Sequence, residues 1–510
     1  MTLRFPVAVL AGWSLVAALP ALAGSPWFEI RVVDDRTGRG VPLVELETVN
    51  HLVHVTDSAG RIAFNEPGLM GRPVFFHIRS HGYEFPKDGF GYAGRKLDVQ
   101  PGGSVTLKLE RMNIAERLYR VTGEGIYRDT VLLGIKPPLA EPVLDAQVLG
   151  QDSVQAAVYR GKIYWFWGDT QRARYPLGHF QTSGATSQLP AEGGLDPSVG
   201  VNLDYFTDAE GFSKRMVPLR EEGPVWLDGL LTVPDETGRE RLVAHYSRMK
   251  DLGHRLEHGL VVFNDERAEF ERLVVFDLAN EWRRPRGQAV RSLDGYIEFA
   301  TPFAMTRVKA SLADVKDPQA YEALTPLGPT ASFYGANTPL AHDKQHQLAY
   351  WWRRGADPLT QKEERLLVEG GKIKSTAARM QVRDVDSGKP VTLHTGSVNW
   401  NAFRKQWVMI AVEQGGTSYL GEVWYAEAPA PTGPWRQAKK ILTHNRYTFY
   451  NPRQHPFFDE ASGRFLYFEG TYTQEFSGNP VATPRYNYNQ IMYRLDLADP
   501  RLRLPEEPDR

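Results

Sequence analysis

The sequence predicts an all-β protein: a small N-terminal β-sandwich followed by a five-bladed β-propeller. Three observations predict it. Short runs of alternating apolar and polar residues, divided by Gly- and Asp-containing turns, follow one another with almost no helical periodicity. After residue 149 a theme of strand, turn and aromatic strand returns several times, the mark of a repeat architecture. With 510 residues the chain exceeds one ordinary domain and can bury more than one core.

The first 23 residues carry a basic start at Arg4, an apolar stretch from Val7 to Leu19, a helix-breaking Pro20 and the small-x-small sequence Ala21-Leu22-Ala23. That pattern predicts a cleaved secretory signal. Pro6, Gly12 and Pro20 interrupt the run and argue against a membrane anchor. The expectation is an exported protein, periplasmic or extracellular, monomeric and free of the membrane once the signal is removed. With no Cys, disulfides and thiol catalysis are excluded. Sixty basic against 61 acidic residues give no electrostatic case for a nucleic acid partner.

Residues 24–110 read as the sandwich. Phe28-Glu-Ile-Arg-Val-Val, Val41 to Thr48, Arg61-Ile-Ala-Phe64, Val74 to Arg79 and Ser104 to Leu109 are strands between turns such as Asp35-Arg-Thr-Gly38 and Thr56-Asp57-Ser-Ala-Gly60. The order Val-x-Asp-x-x-Thr-Gly, Pro-Leu, Thr-Asp-x-x-Gly-x-Phe, Gly-Tyr resembles the carboxypeptidase regulatory-like (transthyretin-like) domain, which implies an accessory module. Asp34, Asp35 and Asp57 are read as turn formers rather than calcium ligands. Residues 111–148, with Pro137-Pro138 and Pro142, are a linker with a short helix expected around Asn113 to Tyr119.

The propeller is expected over 149–497, with a tail at 498–510. Its copies begin at Gln151 to Trp167, Asp228 to Tyr246, Thr395 to Val412 and Gln454 to Phe468. Third strands at Gly259 to Phe263, Gly421 to Tyr425 and Asn489 to Arg494 complete several of them. Gly295 to Thr301, a charged and helical insertion within Ala310 to Leu324, and Gln347 to Trp352 make the middle blade; a count of six blades stays open.

The stretch Leu149 to Thr170 holds the candidate chemistry. A hairpin turning at Arg160 to Lys162 brings Asp152 and Asp169 to one end. Aligned on their turns, the second strands end at Asp169, His245-Tyr246, Glu413 and Glu469, so acidic groups from several blades would meet in one funnel. Glycoside hydrolysis needs one ionised and one protonated carboxyl group. Asp152 is the expected base or nucleophile, Asp169 its partner, and Glu469 or Glu413 the proton donor. His245, Trp226, Asp228, Trp400, His455 and Tyr472 are expected to bind substrate, with Tyr486 as a further stacking ring. Plainer readings compete: Asp228-Gly229 is a turn, Glu422 is as well explained by structural hydrogen bonds, and most of 12 Trp and 22 Tyr must be core. No H-E-x-x-H spacing exists, so no metal site and no cofactor are expected beyond a structural calcium. Tyr472 to Asn489, rich in Gly, Pro, Asn and Tyr, reads as a loop over the funnel mouth.

Glu422-Val-Trp-Tyr-Ala-Glu-Ala-Pro-Ala-Pro-Thr-Gly-Pro-Trp435 resembles a strand and exit turn of the five-bladed propeller glycoside hydrolases, the arabinanase and β-xylosidase group. Gly150-Gln-Asp152 with Phe166-Trp-Gly-Asp-Thr170 is similar to a propeller family containing endo-D-arabinanases. The resemblance implies cleavage of a polysaccharide or oligosaccharide. Gln151 and Ser153 depart from the residues that usually flank the aspartate, so the substrate is not implied. A carbohydrate-binding protein without catalysis is the alternative. A polysaccharide lyase fits less well, because the recurring funnel residues are acidic rather than basic.

Overall fold

The computed structural model describes residues 24–279, 287–329 and 331–505. The signal expected over 1–23 and the end of the tail lie outside the described residues. Among the described residues no helix is long and apolar enough to cross a membrane.

Alternation along Phe28–Asp34 and Arg72–Arg79 buries one face of each strand. Arg61–Phe64, Phe28–Asp34, Ser104–Arg111 and Tyr83–Glu84 form one four-stranded sheet; Val53–Val55, Glu45–Thr48, Arg72–Arg79 and Gly94–Val99 form the other. Ile30, Val32, Leu46, Phe64, Phe76 and Leu109 fill the space between them. Asp57 accepts from the N–H groups of Ala59 and Arg61 in its own turn and from Thr130, and Asp34 accepts from Arg36 N–H and the Arg111 guanidinium.

Five further sheets follow as blades. Blade 1 is Gln155–Tyr159, Lys162–Trp167, Ser183–Gln188 and Asp204–Tyr205; blade 2 is Val225–Pro234, Glu240–Asp251, His254–Asn264 and Glu269–Phe276. Blade 3 runs Gln288–Arg291, Tyr296–Ala300, Ala304–Lys309, Glu322–Thr325 and Trp351–Arg354. Blade 4 is Leu393–Asn401, Gln406–Glu413, Val423–Ala428 and Gln437–Leu442, edged by Arg383–Asp384. Blade 5 is Thr448–Gln454, Phe465–Thr473, Asn489–Asp496 and, from far earlier in the chain, Glu116–Arg120. The charged insertion of blade 3 holds the short helix Leu312–Lys316.

Two expectations change. The segment around Asn113 to Tyr119 is not a helix: Glu116–Arg120 is buried throughout and pairs antiparallel with Asn489–Asp496, Met492 opposite Tyr119 and Arg494 opposite Glu116. Long-range pairing overrides the local pattern here. The inner strand of blade 5 is Thr448–Gln454 rather than Gln454 to Phe458, where Pro456, which has no N–H to give a ladder, opens a single 3-10 turn.

Polar side chains join the inner strands around the central channel. Gln288 of blade 3 donates to Asn399 of blade 4 (2.9 Å) and accepts from Val398 N–H (2.8 Å). Asn399 donates to Gln454 of blade 5 (3.2 Å), and Arg453 of blade 5 donates to Gln155 of blade 1 (2.9 Å). Gly287 N–H donates to Asp228 of blade 2 (2.9 Å). Replacing the buried Gln288 by Ala strands Val398 N–H in the channel and should lower the unfolding free energy by about 1–3 kcal/mol. A denaturant melt with an unchanged midpoint would show that these contacts do not hold the ring.

Candidate functional site

The hairpin that carries Asp152 and Asp169 turns through Arg160 and Gly161, both at positive φ (50° and 77°), as a tight two-residue turn requires. Tyr159 pairs with Lys162 and Gln155 with Phe166, so the residues before the first strand and after the second emerge together. Asp169 N–H donates to Asp152 Oδ1 at 2.9 Å, and Gly168 N–H donates to the Asp152 carbonyl at 2.7 Å. A Cβ on Gly168 would lie 2.2 Å from Asp152 Oδ1, so this approach needs glycine.

The two aspartates stand in a funnel of about 710 Å³. Its wall comes mainly from blades 1, 2 and 5, with Thr301 of blade 3 and Thr395 of blade 4 at its edge, and includes Trp226, Asp228, Tyr450, Arg453, Glu475 and Tyr488. Tyr450 OH donates to Asp152 Oδ2 at 2.7 Å, and Trp226 Nε1 donates to Asp169 Oδ1 at 2.7 Å. Rings on the rim face the opening: Phe180 is 68% exposed and Phe476 53%. Ser153, Asn451, Phe476 and Tyr488 line this funnel, and all four hold left-handed φ values between 50° and 64°. Such non-glycine residues cost of order 1–3 kcal/mol each and gather at functional sites. Ser153 and Asn451 are tied side chain to side chain at 2.8 Å.

The electrostatics divide the pair. Burial raises Asp152 above the ordinary carboxyl range, while the hydroxyls of Tyr450 and Tyr488 and the N–H of Asp169 favour its anion. Burial, and then the charge of Asp152, push Asp169 up to about 7 against the pull of the Trp226 N–H. Partial desolvation and the same Asp152 charge raise Glu475. Burial and Asp152 also raise Tyr450 and Tyr488, which keeps both phenols as donors.

Of the residues singled out in the sequence, Asp152, Asp169, Trp226 and Asp228 line the funnel. Asp228 spends Oδ1 on the N–H groups of Gly229 and Gly287, so its main work is to join blades 2 and 3. The others lie elsewhere. Glu469 is fully buried, with its carboxylate 2.8 Å from Nε2 of the equally buried His455, whose ring packs on Trp165 between blades 5 and 1. Glu413 accepts from Trp424 Nε1 at 2.8 Å inside blade 4. His245 is buried against His258, Phe299 and Tyr321 between blades 2 and 3. Trp400 sits beside Trp407 at the hairpin end of its inner strand, away from Thr395 at the funnel. Tyr472 is buried on Tyr447 and bonds Thr483, and Tyr486 lies under the Arg120 guanidinium. The second-strand ends of blades 1 and 2 do reach the funnel, through Asp169 and through Ser247, Met249 and Asp251, but His245, Glu413 and Glu469 do not line it. The funnel is built from the starts of inner strands, the second-strand ends of blades 1 and 2 and the loop 474–488, and Glu422 is held by Thr417 and Thr443 as a structural carboxylate.

Tyr450, Arg453, Glu475 and Tyr488 had no distinct signal in the sequence. Locating the blade 5 strand at its true start would have exposed the first two, and the predicted mouth loop contains the others. Among the described residues no group of three or more His, Cys, Asp or Glu is arranged to hold a metal ion.

No protein-family model matches the chain, and no curated protein matches it. Solved structures similar to it include a proposed hydrolase from Bacteroides ovatus (14% identity, 68% of this chain and 86% of that one, TM-score 0.41). An exo-β-1,3-galactanase from Phanerochaete chrysosporium is also similar (9% identity, 75% and 65%, TM-score 0.37). So is an α-L-arabinanase from Penicillium chrysogenum (13% identity, 75% and 99%, TM-score 0.32). Identities and TM-scores this low transfer neither a site nor a substrate.

Asp169 binds its proton more tightly in the folded protein than in the unfolded chain, so its contribution to stability falls as pH rises from about 4 through about 7. Asp169→Asn should therefore raise the melting temperature more at pH 8 than at pH 5. Asp152→Asn should bring the Asp169 titration downward, read by carboxyl-carbon NMR; an unmoved titration would mean that the two groups do not sense one another.

Proposed function

We propose that this chain hydrolyses glycosidic bonds of an oligosaccharide or polysaccharide, with Asp152 and Asp169 as the reacting carboxyl groups. The observation that carries this reading is the pairing of unequal environments: Asp152 receives N–H and O–H donors, while Asp169 is pushed up to about 7 beside it. Two neighbouring carboxyl groups whose pKa values are driven apart are the acid and base that glycoside cleavage requires. In this assignment Asp152 is the anion that acts as base or nucleophile, and Asp169 holds the proton delivered to the leaving oxygen. Glu475, on the mouth loop, adds a third carboxyl group that strengthens retention of that proton.

The walls suit a sugar. Phe180, Trp226 and Phe476 offer ring faces for C–H surfaces, and Asn451, Ser153 and Arg453 bring hydrogen-bonding groups to the same space. The signal pattern at 1–23 fits an exported monomer that meets its carbohydrate outside the cytoplasm, with the sandwich as an attached module.

Arabino- and galacto-oligosaccharides, after the activities named for two of the similar structures, make the first members of a test panel. Wild-type protein should release reducing ends from at least one member. Asp152→Asn and Asp169→Asn should each lose about 10²–10⁴-fold in kcat. Wild-type activity should decline as pH rises through about 7, where Asp169 gives up its proton. Binding without products from the wild type would favour a carbohydrate-binding protein, and unsaturated products absorbing in the ultraviolet would favour a lyase.

A further inference from the structure

A second cavity, of about 1100 Å³, opens beside the funnel between blades 3 and 4. Asp228, Thr301 and Thr395 line both spaces, so the two are continuous across that threshold. The second alone exceeds the range of about 300–1,000 Å³ typical of a small-molecule site. One sugar in the funnel would leave it empty.

Its outer wall is an addition to the repeat. Blade 4 passes to blade 5 through residues 443–447 alone, whereas residues 355–392 separate the last strand of blade 3 from the first of blade 4. That insertion contains the helix Gln361–Glu369, anchored by a full capping box between Thr360 and Glu363. Glu364 accepts from the N–H groups of Arg379 and Met380, which ties the helix to the rest of the insertion, while Tyr350 OH donates to Glu364 and Leu393 N–H of blade 4 donates to Gln361, which fixes the insertion against the propeller. A rigid wall built on the edge of a funnel shapes an approach to it.

The lining matches a neutral carbohydrate. Tyr419 is 50% exposed, and Phe333 adds a second ring. Thr360, Thr392, His394 and Gln414 supply neutral hydrogen-bonding groups. The charged residues are Asp228, Asp357 and Glu363 against Lys362 and Arg365, an acidic excess of one, so the cavity does not favour an anionic sugar.

We propose that this second cavity is a carbohydrate subsite holding the sugars that flank the bond cleaved in the funnel. The substrate is then a neutral polysaccharide or long oligosaccharide, threaded over Thr301 and Thr395. This rests on the hydrolase reading and deepens it.

The test uses full-length Asp152→Asn protein, titrated calorimetrically with the two-sugar and six-sugar members of whichever neutral series the wild type cleaves. The six-sugar ligand should bind at least about tenfold more tightly than the two-sugar ligand. Adding His394→Trp, which obstructs the threshold, or Tyr419→Ala, which removes the exposed ring, should bring that ratio close to one and leave the two-sugar affinity unchanged. Circular dichroism and melting temperature identify any variant that fails to fold, and the other then carries the test. Equal affinity for both lengths in the parent, or a length preference that survives both substitutions, overturns the subsite while hydrolysis stands. A wild type that cleaves no member of the panel overturns hydrolysis and the subsite together.

Discussion

A propeller is a strip of sheets bent until its ends meet, and here they meet where Arg453 of blade 5 donates to Gln155 of blade 1. Everything at the funnel floor depends on that closure. The same junction brings Asn451 to Ser153 and Tyr450 to Asp152, three contacts between residues nearly 300 positions apart. Burial lowers the basicity of Arg453, and the nearby charges of Asp228 and Glu469 oppose that shift, so a cation stays between the first and last blades. Without it Gln155 Oε1 would lose its donor from the last blade.

Closure and chemistry share residues. Asp152 is kept in place by a tyrosine of the last blade and by the backbone of its own hairpin, while Asp169 receives the indole N–H of blade 2. Neither carboxyl group can be positioned by one blade alone. Three of the four left-handed residues around them are strain that the closed ring sustains, since Ser153 and Asn451 bond across the junction of blades 1 and 5 and Tyr488 bonds Asp152 of blade 1. The sandwich also contributes: His81 packs on Tyr447 and Tyr472, and Tyr447 bonds Asn487 and Thr483 of that loop. The resemblance to an accessory module thus understates its contact with the wall that carries Glu475 and Phe476.

Much of this was legible in the residues. Period-two alternation and Gly-marked turns gave the strands of both halves, and the Arg160–Gly161 hairpin gave the adjacency of Asp152 and Asp169, because a two-residue turn leaves only one register. What was illegible is long-range. Glu116–Arg120 has no distinctive pattern of its own and becomes a strand only against the edge of Asn489–Asp496. Glu469 looked like a lone carboxylate in an aromatic strand, and the partner that accounts for it, His455, was itself assigned to the funnel. Equating presumed second-strand ends failed at His245 and Glu469 because those strands run on to Asp251 and Thr473, so both residues lie mid-strand, and local pattern does not mark where an aromatic strand stops.

The closing strand has a consequence for how the molecule comes into being. Glu116–Arg120 is made long before Asn489–Asp496 and finds its place only when that strand exists, so the last blade stays incomplete while the more than 360 intervening residues are synthesised. Contacts of that sequence separation are slow to form, because the loop they close must be ordered first. A chain built this way holds an open sheet edge on its last blade until the two distant segments meet, so both must stay free of other pairing in the meantime.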